Sequence, residues 1–253
     1  MRRASAGTAL LLAALLFTLP GEAHRGITSR FTYNAEVYPI FLRRCGRCHV
    51  DGGVGPMSLL RYEDAFPWAE SLRTELLTAG LEAGDFVKAA HRQISARELD
   101  IVLDWATGGT PEGDKASAPT PAALDLTWAR GTPDFVVSMA APFAMAADTL
   151  ETTQEFVMPI AVAEPRSATQ LDLLPGTPAI VRSATISIRS KGGEVRTLAT
   201  WFPRQAPATI PLKPAARLEP GSEVIARIHY KKTWKLEGQA MRDQSTIGLY
   251  FAD

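Results

Sequence analysis

The pattern of apolar residues changes once along this chain of 253 residues, and the change restricts it to a two-part fold. Residues 31–109 carry apolar side chains at helical spacing, whereas residues 134–252 alternate apolar and polar side chains as strands do. Residues 111–124 begin with a run rich in proline, glycine, serine and alanine, which is typical of a linker. The sequence therefore predicts an α + β protein, with an all-α domain over residues 31–110 and an antiparallel β-sandwich over residues 125–253.

Three helices are expected before the linker. The first starts near Ala35, and the second runs from Pro67, a favoured first-turn residue, to a C-terminal cap at Gly80. The third begins at a capping box made by Ser95 and Glu98, and apolar residues follow it at helical spacing.

Strands are expected after the linker, separated by Pro-Gly turns. The predicted strands cover residues 135–139, 179–188, 224–230 and 246–251, and the turns cover residues 174–178 and 219–222. This pattern favours a sandwich of antiparallel sheets, jelly-roll-like in type.

Residues 45–49 read Cys-Gly-Arg-Cys-His, which is the attachment motif of c-type haem. In this motif the thiols of Cys45 and Cys48 bind one haem covalently, and His49 supplies an axial imidazole to the iron. Three helices around such a motif are typical of a small, class I-like cytochrome c. The sequence thus predicts one covalent haem c.

A local disulfide between Cys45 and Cys48 is the alternative, because the chain has no other cysteine. Such a bridge would suit a thioredoxin-like redox motif. The strand before the motif and the helix after it, which a thioredoxin-like motif requires, are missing from the pattern.

Residues 1–23 have the composition of a secretory signal peptide. Arg2 and Arg3 precede an apolar run over residues 10–19, and Gly-Glu-Ala at residues 21–23 resembles a small-residue cleavage site. The apolar run is shorter than the roughly 20 residues that span a bilayer. We therefore expect a bacterial protein exported by general secretion, periplasmic or secreted, with no transmembrane segment in the mature chain.

The charge balance excludes some partners. After residue 23 the chain has 25 Lys and Arg and 26 Asp and Glu, so the expected mature protein is nearly neutral. This balance gives no support for a nucleic-acid partner or a polybasic membrane anchor.

A six-coordinate haem iron needs a second axial ligand, and Met57 and His91 are the candidates in the first part. Met57 follows His49 closely, so it would need a sharp chain reversal to reach the opposite face of the haem. His91 lies far enough along the chain to pass around the haem edge, and we expect it to be the distal ligand. Met57 is the alternative, and an open position is the third possibility. Two imidazoles usually give a lower reduction potential than a His/Met pair.

The chain resembles bacterial cytochrome c domains joined to copper type II, ascorbate-dependent monooxygenase-like modules, which are relatives of peptidylglycine hydroxylating monooxygenase. Residues 45–69 and 104–111 carry the resemblance in the first part, and residues 133–137, 174–178 and 229–230 carry it in the second. The resemblance implies a haem domain followed by the first half of a copper module.

The chain departs from this family at two places. Many relatives have a Met-Pro-Pro-Trp segment after the second helix, whose Met is a natural distal ligand, whereas residues 79–86 here contain no Met. A His-His pair of the family's first copper site is replaced by Arg182 and Ser183, and only His229 remains of that site. Because Cu(II) favours several nitrogen ligands, copper is not expected, and His229 is expected to have a structural role.

The favoured function is electron transfer by an exported monohaem cytochrome, with the β-sandwich as a docking module. Its expected partner is a redox protein, for which a copper oxidoreductase is one candidate. An accessory subunit of a copper monooxygenase system is one alternative. A haem-based sensor that binds a gas such as CO or NO is the other. The chain is expected to be an electron carrier more than a catalyst by itself.

Overall fold

The computed structural model describes residues 28–82, 94–203 and 208–252. The N-terminal part contains short helices. They are a π-helical turn (Tyr33–Val37), α1 (Tyr38–Arg44), α2 (Tyr62–Ala65), a 3-10 turn (Phe66–Trp68), α3 (Ala69–Glu82), α4 (Ala96–Thr107) and a 3-10 turn (Lys115–Ser117).

The third predicted helix is confirmed as α4, including its capping box. The hydroxyl of Ser95 accepts a hydrogen bond from the backbone N–H of Glu98, and the Glu98 carboxylate accepts one from the N–H of Ser95. The helix ends at Thr107 with Gly108 as its C-cap, and Gly109 has a positive φ of 80°. The prediction that Gly80 caps the second helix is wrong, because α3 continues through Gly80 to Glu82. A glycine ends a helix only where its backbone turns left-handed, and Gly80 keeps helical backbone.

The C-terminal part is built from antiparallel sheets. Its strands are β1 (Phe135–Ser138), β2 (Phe143–Met145), β3 (Glu151–Pro159), β4 (Arg166–Leu174), β5 (Val181–Arg189), β6 (Val195–Trp201), β7 (Ile210–Leu218), β8 (Glu223–Lys231), β9 (Met241–Asp243) and β10 (Thr246–Phe251). One four-stranded sheet has the order β1-β10-β4-β7, the other has β3-β8-β5-β6, and β2 pairs with β9. The four predicted strands are confirmed as β1, β5, β8 and β10.

Each part has its own cluster of buried apolar side chains. The two four-stranded sheets share one cluster, which includes Leu171, Ile186 and Ile247, so their inner faces pack together as the predicted sandwich requires. The helical part has a separate cluster around Phe41 and Trp105. The coarse order, short helices followed by antiparallel sheets, agrees with the sequence.

The segment predicted as a linker packs on the helical part. The carbonyl of Pro111 accepts hydrogen bonds from the backbone N–H of Tyr33 and from the indole N–H of Trp105. The hydroxyl of Tyr38 donates to the carbonyl of Thr120, and Leu124 packs against the helical cluster. This chain segment is therefore held against the helices along much of its length.

Within the described ranges, no helix has both the length and the apolar composition needed to cross a bilayer.

Candidate functional site

Residues 45–49, the Cys-x-x-Cys-His motif, form a turn that continues from α1. The carbonyl of Cys45 accepts hydrogen bonds from the N–H groups of Cys48, at 3.0 Å, and His49, at 2.9 Å. Residues spaced by three and four positions share one side of such a turn. Cys45, Cys48 and His49 therefore lie in one turn at the end of α1.

The ring of His49 is oriented by the loop that follows the motif. Its Nδ1 lies 3.1 Å from the backbone carbonyl of Met57. A carbonyl can only accept, so Nδ1 carries the proton and the Nε2 lone pair is available to a metal. Burial lowers the pKa of His49, and the hydrogen bond to Met57 opposes this effect more weakly. The neutral ring has the tautomer that an axial ligand needs.

The loop carrying Met57 is itself fixed against the motif. The N–H of Gly55 donates to the carbonyl of Cys48, and the N–H of Leu59 donates to the carbonyl of His49. A Cβ at Gly55 would lie 2.8 Å from Nδ1 of His49, which is too close for real atoms. Glycine at this position therefore lets the loop backbone lie close to the imidazole ring.

The two cysteines occupy different surroundings, and no disulfide joins them. Cys45 packs against the helical cluster, while Cys48 lines a cavity. Burial, followed by the charge of a neighbouring Cys48 thiolate, raises the pKa of Cys45 to about 12, against a smaller lowering by Arg44. The Cys45 thiol is protonated at neutral pH.

A cavity of about 510 Å³ lies between the helical part and the sheets. Cys48, His49 and residues 54–56 form the wall on the helical side, and Arg182, residues 202–203 and residues 231–234 form the other. This volume falls within the range of about 300 to 1,000 Å³ that small-molecule and cofactor sites have. The cavity walls are largely apolar, and the charged side chains among the described residues that line it are cationic.

The two parts of the chain meet beside this cavity. Nη1 of Arg182 donates to the carbonyl of Val54 at 2.7 Å. The rings of Trp68 and Trp234 lie with their centroids 6.0 Å apart and their planes tilted by 37°. The motif predicted from the first part therefore opens onto residues of the second part.

Of the two candidates for the distal ligand, Met57 lies within the described residues and His91 does not. Met57 is 8% exposed, and its carbonyl lies on the Nδ1 side of His49, the side away from Nε2. This position does not favour Met57 as a ligand on the opposite face of an iron bound by His49. His91 lies outside the described residues, so its assignment stays a prediction.

Arg182, Ser183 and His229, the positions that correspond to the first copper site of the resembling family, lie on two neighbouring strands. Ser183 of β5 is the register partner of His229 of β8, and Arg182 precedes it. Nε2 of His229 lies 2.8 Å from the carboxylate of Glu151, which also binds Lys231. This contact satisfies the ring at the surface of the sheet, in line with the structural role expected for His229.

Among the residues that the structure describes, no group of three or more His, Cys, Asp and Glu side chains is arranged to hold a metal ion. The sequence matches no protein-family model, and no curated protein is significantly similar to it.

The sequence motif identifies only the helical side of the cavity. In the sequence, Arg182 stands only where a copper ligand of the resembling family is lost, and residues 231–234 carry no motif. No local signal could have found them, because β5 and the chain after β8 reach the motif only through the tertiary arrangement.

Proposed function

We propose that this chain is an exported monohaem c-type cytochrome that transfers single electrons. One observation carries the proposal: the imidazole of His49, held at Nδ1 by the Met57 carbonyl, lies in the cysteine turn and lines a cavity of cofactor size. A structural histidine would have no need of two cysteines in the same turn.

The residues present fit a covalent haem. Cys45 and Cys48 would hold it through thioethers, and Nε2 of His49 would be its proximal axial ligand. When bound, the haem supplies an iron that changes between Fe(III) and Fe(II) by one electron. The Met57 carbonyl fixes the tautomer and rotation of His49, a contact that commonly tunes a metal-bound imidazole. His91 remains the proposed distal ligand on sequence grounds.

The helical part, in this proposal, is a small class I-like cytochrome c domain. Helices α1 and α4 both contribute to one cluster, in which Phe41 and Trp105 meet edge to face with centroids 6.1 Å apart. Packing of an N-terminal helix against a C-terminal helix is the arrangement expected for such a domain. The N-terminal signal-like residues make export the proposed route to covalent haem attachment.

The sheets, in this proposal, are a copper-module-like sandwich that docks the cytochrome to a redox partner. The pairing of Ser183 with His229 supports the resemblance, since it brings together positions that the family uses for copper. Arg182, Ser183 and His229 offer a single imidazole there, which supports a docking role for the sandwich over copper catalysis.

Redox titration of the secreted holoprotein tests the electron-transfer role. We expect a reversible one-electron Fe(III)/Fe(II) couple that small electron donors can reach. A protein that carries haem but shows no such couple would contradict the proposal. A shift of the Soret band when CO is added to the reduced protein would favour gas binding instead. Stoichiometric copper that disappears in His229→Ala would favour the copper alternative.

A further inference from the structure

Arg182 is a cation at the boundary between the two parts of the chain. It lines the cavity from β5, opposite Cys48 and His49. Its Nη1 donates to the carbonyl of Val54 at 2.7 Å, and its Nη2 donates to the carbonyl of Ala179 at 3.0 Å. These two bonds fix the guanidinium beside the cavity wall.

No carboxylate neutralises this guanidinium within the described ranges. Its two hydrogen bonds go to backbone carbonyls, which leaves three of its five N–H donors for another acceptor. Burial lowers the pKa of Arg182, as desolvation does for any cation. A partly buried charge without a counterion is costly, so the site favours an anionic group.

The other charged side chains that the described part of the chain contributes to the cavity have the same sign. Lys232 is 6% exposed, and its ammonium donates to the carbonyls of Ala146 and Ala147. Lys231 lies at the exposed rim, where it binds Glu151 at 2.9 Å. The cavity thus combines apolar walls with cations on the side opposite the motif.

A haem has the matching distribution of chemistry. Its ring is apolar, its two former vinyl groups lie on one side, and its two carboxylates lie on the other. We propose that Arg182 binds a haem carboxylate, so that the sheet part of the chain completes the haem site of the helical part. This inference rests on the proposed function, and it names a residue that the haem motif alone does not indicate. A guanidinium fork pairs with a carboxylate in two-pronged geometry.

The consequence is a charge effect on the iron. A cation paired with the carboxylate offsets its negative charge and favours Fe(II), and it keeps the carboxylate ionised at neutral pH. Among the described residues, the other titratable groups that line the cavity are Cys48, His49, Lys231 and Lys232. Cys48 and His49 would be committed to the haem, Lys231 is paired with Glu151, and the ammonium of Lys232 is bonded to two backbone carbonyls.

Potentiometric titration of the covalent holoprotein between about pH 5 and about pH 8 tests the inference. For Arg182→Gln we expect the equilibrium constant for reduction to fall about tenfold, which is about 59 mV for one electron. We also expect its potential to fall as pH rises through the carboxylate pKa. The wild type should show no such carboxylate titration, and Arg182→Lys should restore most of the potential.

Arg227→Gln is the matched control, because Arg227 is an exposed arginine of β8 outside the cavity lining. An Arg182→Gln protein with the potential and pH profile of Arg227→Gln would overturn the inference. So would a carboxylate titration in the wild type, which needs no variant. If either result were found in a protein that carries covalent haem, the proposed function would still stand. A wild type without haem would contradict both the proposed function and this inference.

Discussion

The imidazole of His49 is confined by its own chain at the scale of single residues. The Met57 carbonyl accepts a hydrogen bond from its Nδ1–H, and Gly55 lies so close to the ring that any side chain there would collide with it. Both contacts come from the loop immediately after the motif, so the sequence order itself brings them into place. The orientation of the proposed iron ligand therefore depends on a glycine that the motif does not include.

Gly55→Ala tests this contact. The added Cβ would lie 2.8 Å from Nδ1 of His49 and 2.9 Å from the carbonyl of Cys48, so either the ring or the loop must move. We expect denaturant unfolding to show a loss of about 1 to 3 kcal/mol, the usual cost of overpacking. Gly192→Ala is the control, because the nearest atom to its new Cβ is Ser190 Oγ at 3.8 Å. Equal stability of the two variants would show that the close approach is unimportant.

At the scale of elements, one carboxylate joins α4 to the helix before the haem motif. Glu98 belongs to the capping box of α4 and also binds Arg44 at 3.1 Å and Arg43 at 3.4 Å, both in the last turn of α1. The hydrogen bond from Ser95 N–H is the largest cause that lowers the pKa of Glu98 to about 2, and Arg44 is the next. The start of one helix thereby positions the end of the other.

This contact predicts a pH-dependent stability. The folded-state pKa of Glu98 lies below its ordinary value of 4.5, so its stabilisation is complete above about pH 4.5 and is lost as pH falls towards 2. Glu98→Gln should cost about 1 kcal/mol at neutral pH and progressively less below pH 4.5. Denaturant unfolding at several pH values measures the difference, with exposed Glu75→Gln as the control. A cost that stays constant down to pH 2 would contradict the assignment.

The strands that the sequence failed to predict are explained by their places in the sheets. β3, β6 and β7 are edge strands, and β2 and β9 form a separate pair. Three of the four correctly predicted strands, β5, β8 and β10, are interior strands, and the fourth, β1, lies at an edge. Interior strands show the apolar patterns by which strands are recognised. β7 also contains Pro211 and Pro214, which argue against a strand in sequence but are tolerated at an edge. The interior strand β4 was missed as well, since its N-terminal half is polar.

At the scale of the whole molecule, the proposed haem site is shared by the two parts of the chain. The sequence identifies Cys45, Cys48 and His49, because their spacing is local and specific. It does not identify Arg182 or Trp234, because their approach to the motif depends on how the sheets pack against the helices. Local patterns predict the elements, and only the tertiary arrangement shows which elements meet.

A double-mutant cycle on Trp68 and Trp234 tests this arrangement. With ring centroids 6.0 Å apart, the pair should show a coupling energy of about 1 kcal/mol in denaturant unfolding of the holoprotein. The cycle of Phe66 with Trp234 is the control. Effects of Trp68→Ala and Trp234→Ala that add within about 0.3 kcal/mol would show that the two parts do not meet through these rings.

The central claim is that Cys45 and Cys48 hold one haem whose iron is bound by His49. Intact mass of the secreted protein, measured under denaturing conditions after production with the host's haem-attachment system, tests it most directly. We predict the mass of the processed chain plus one haem for the wild type, and no haem for the Cys45→Ser, Cys48→Ser double variant. A wild type that is secreted and folded but has the mass of the polypeptide alone would contradict the account.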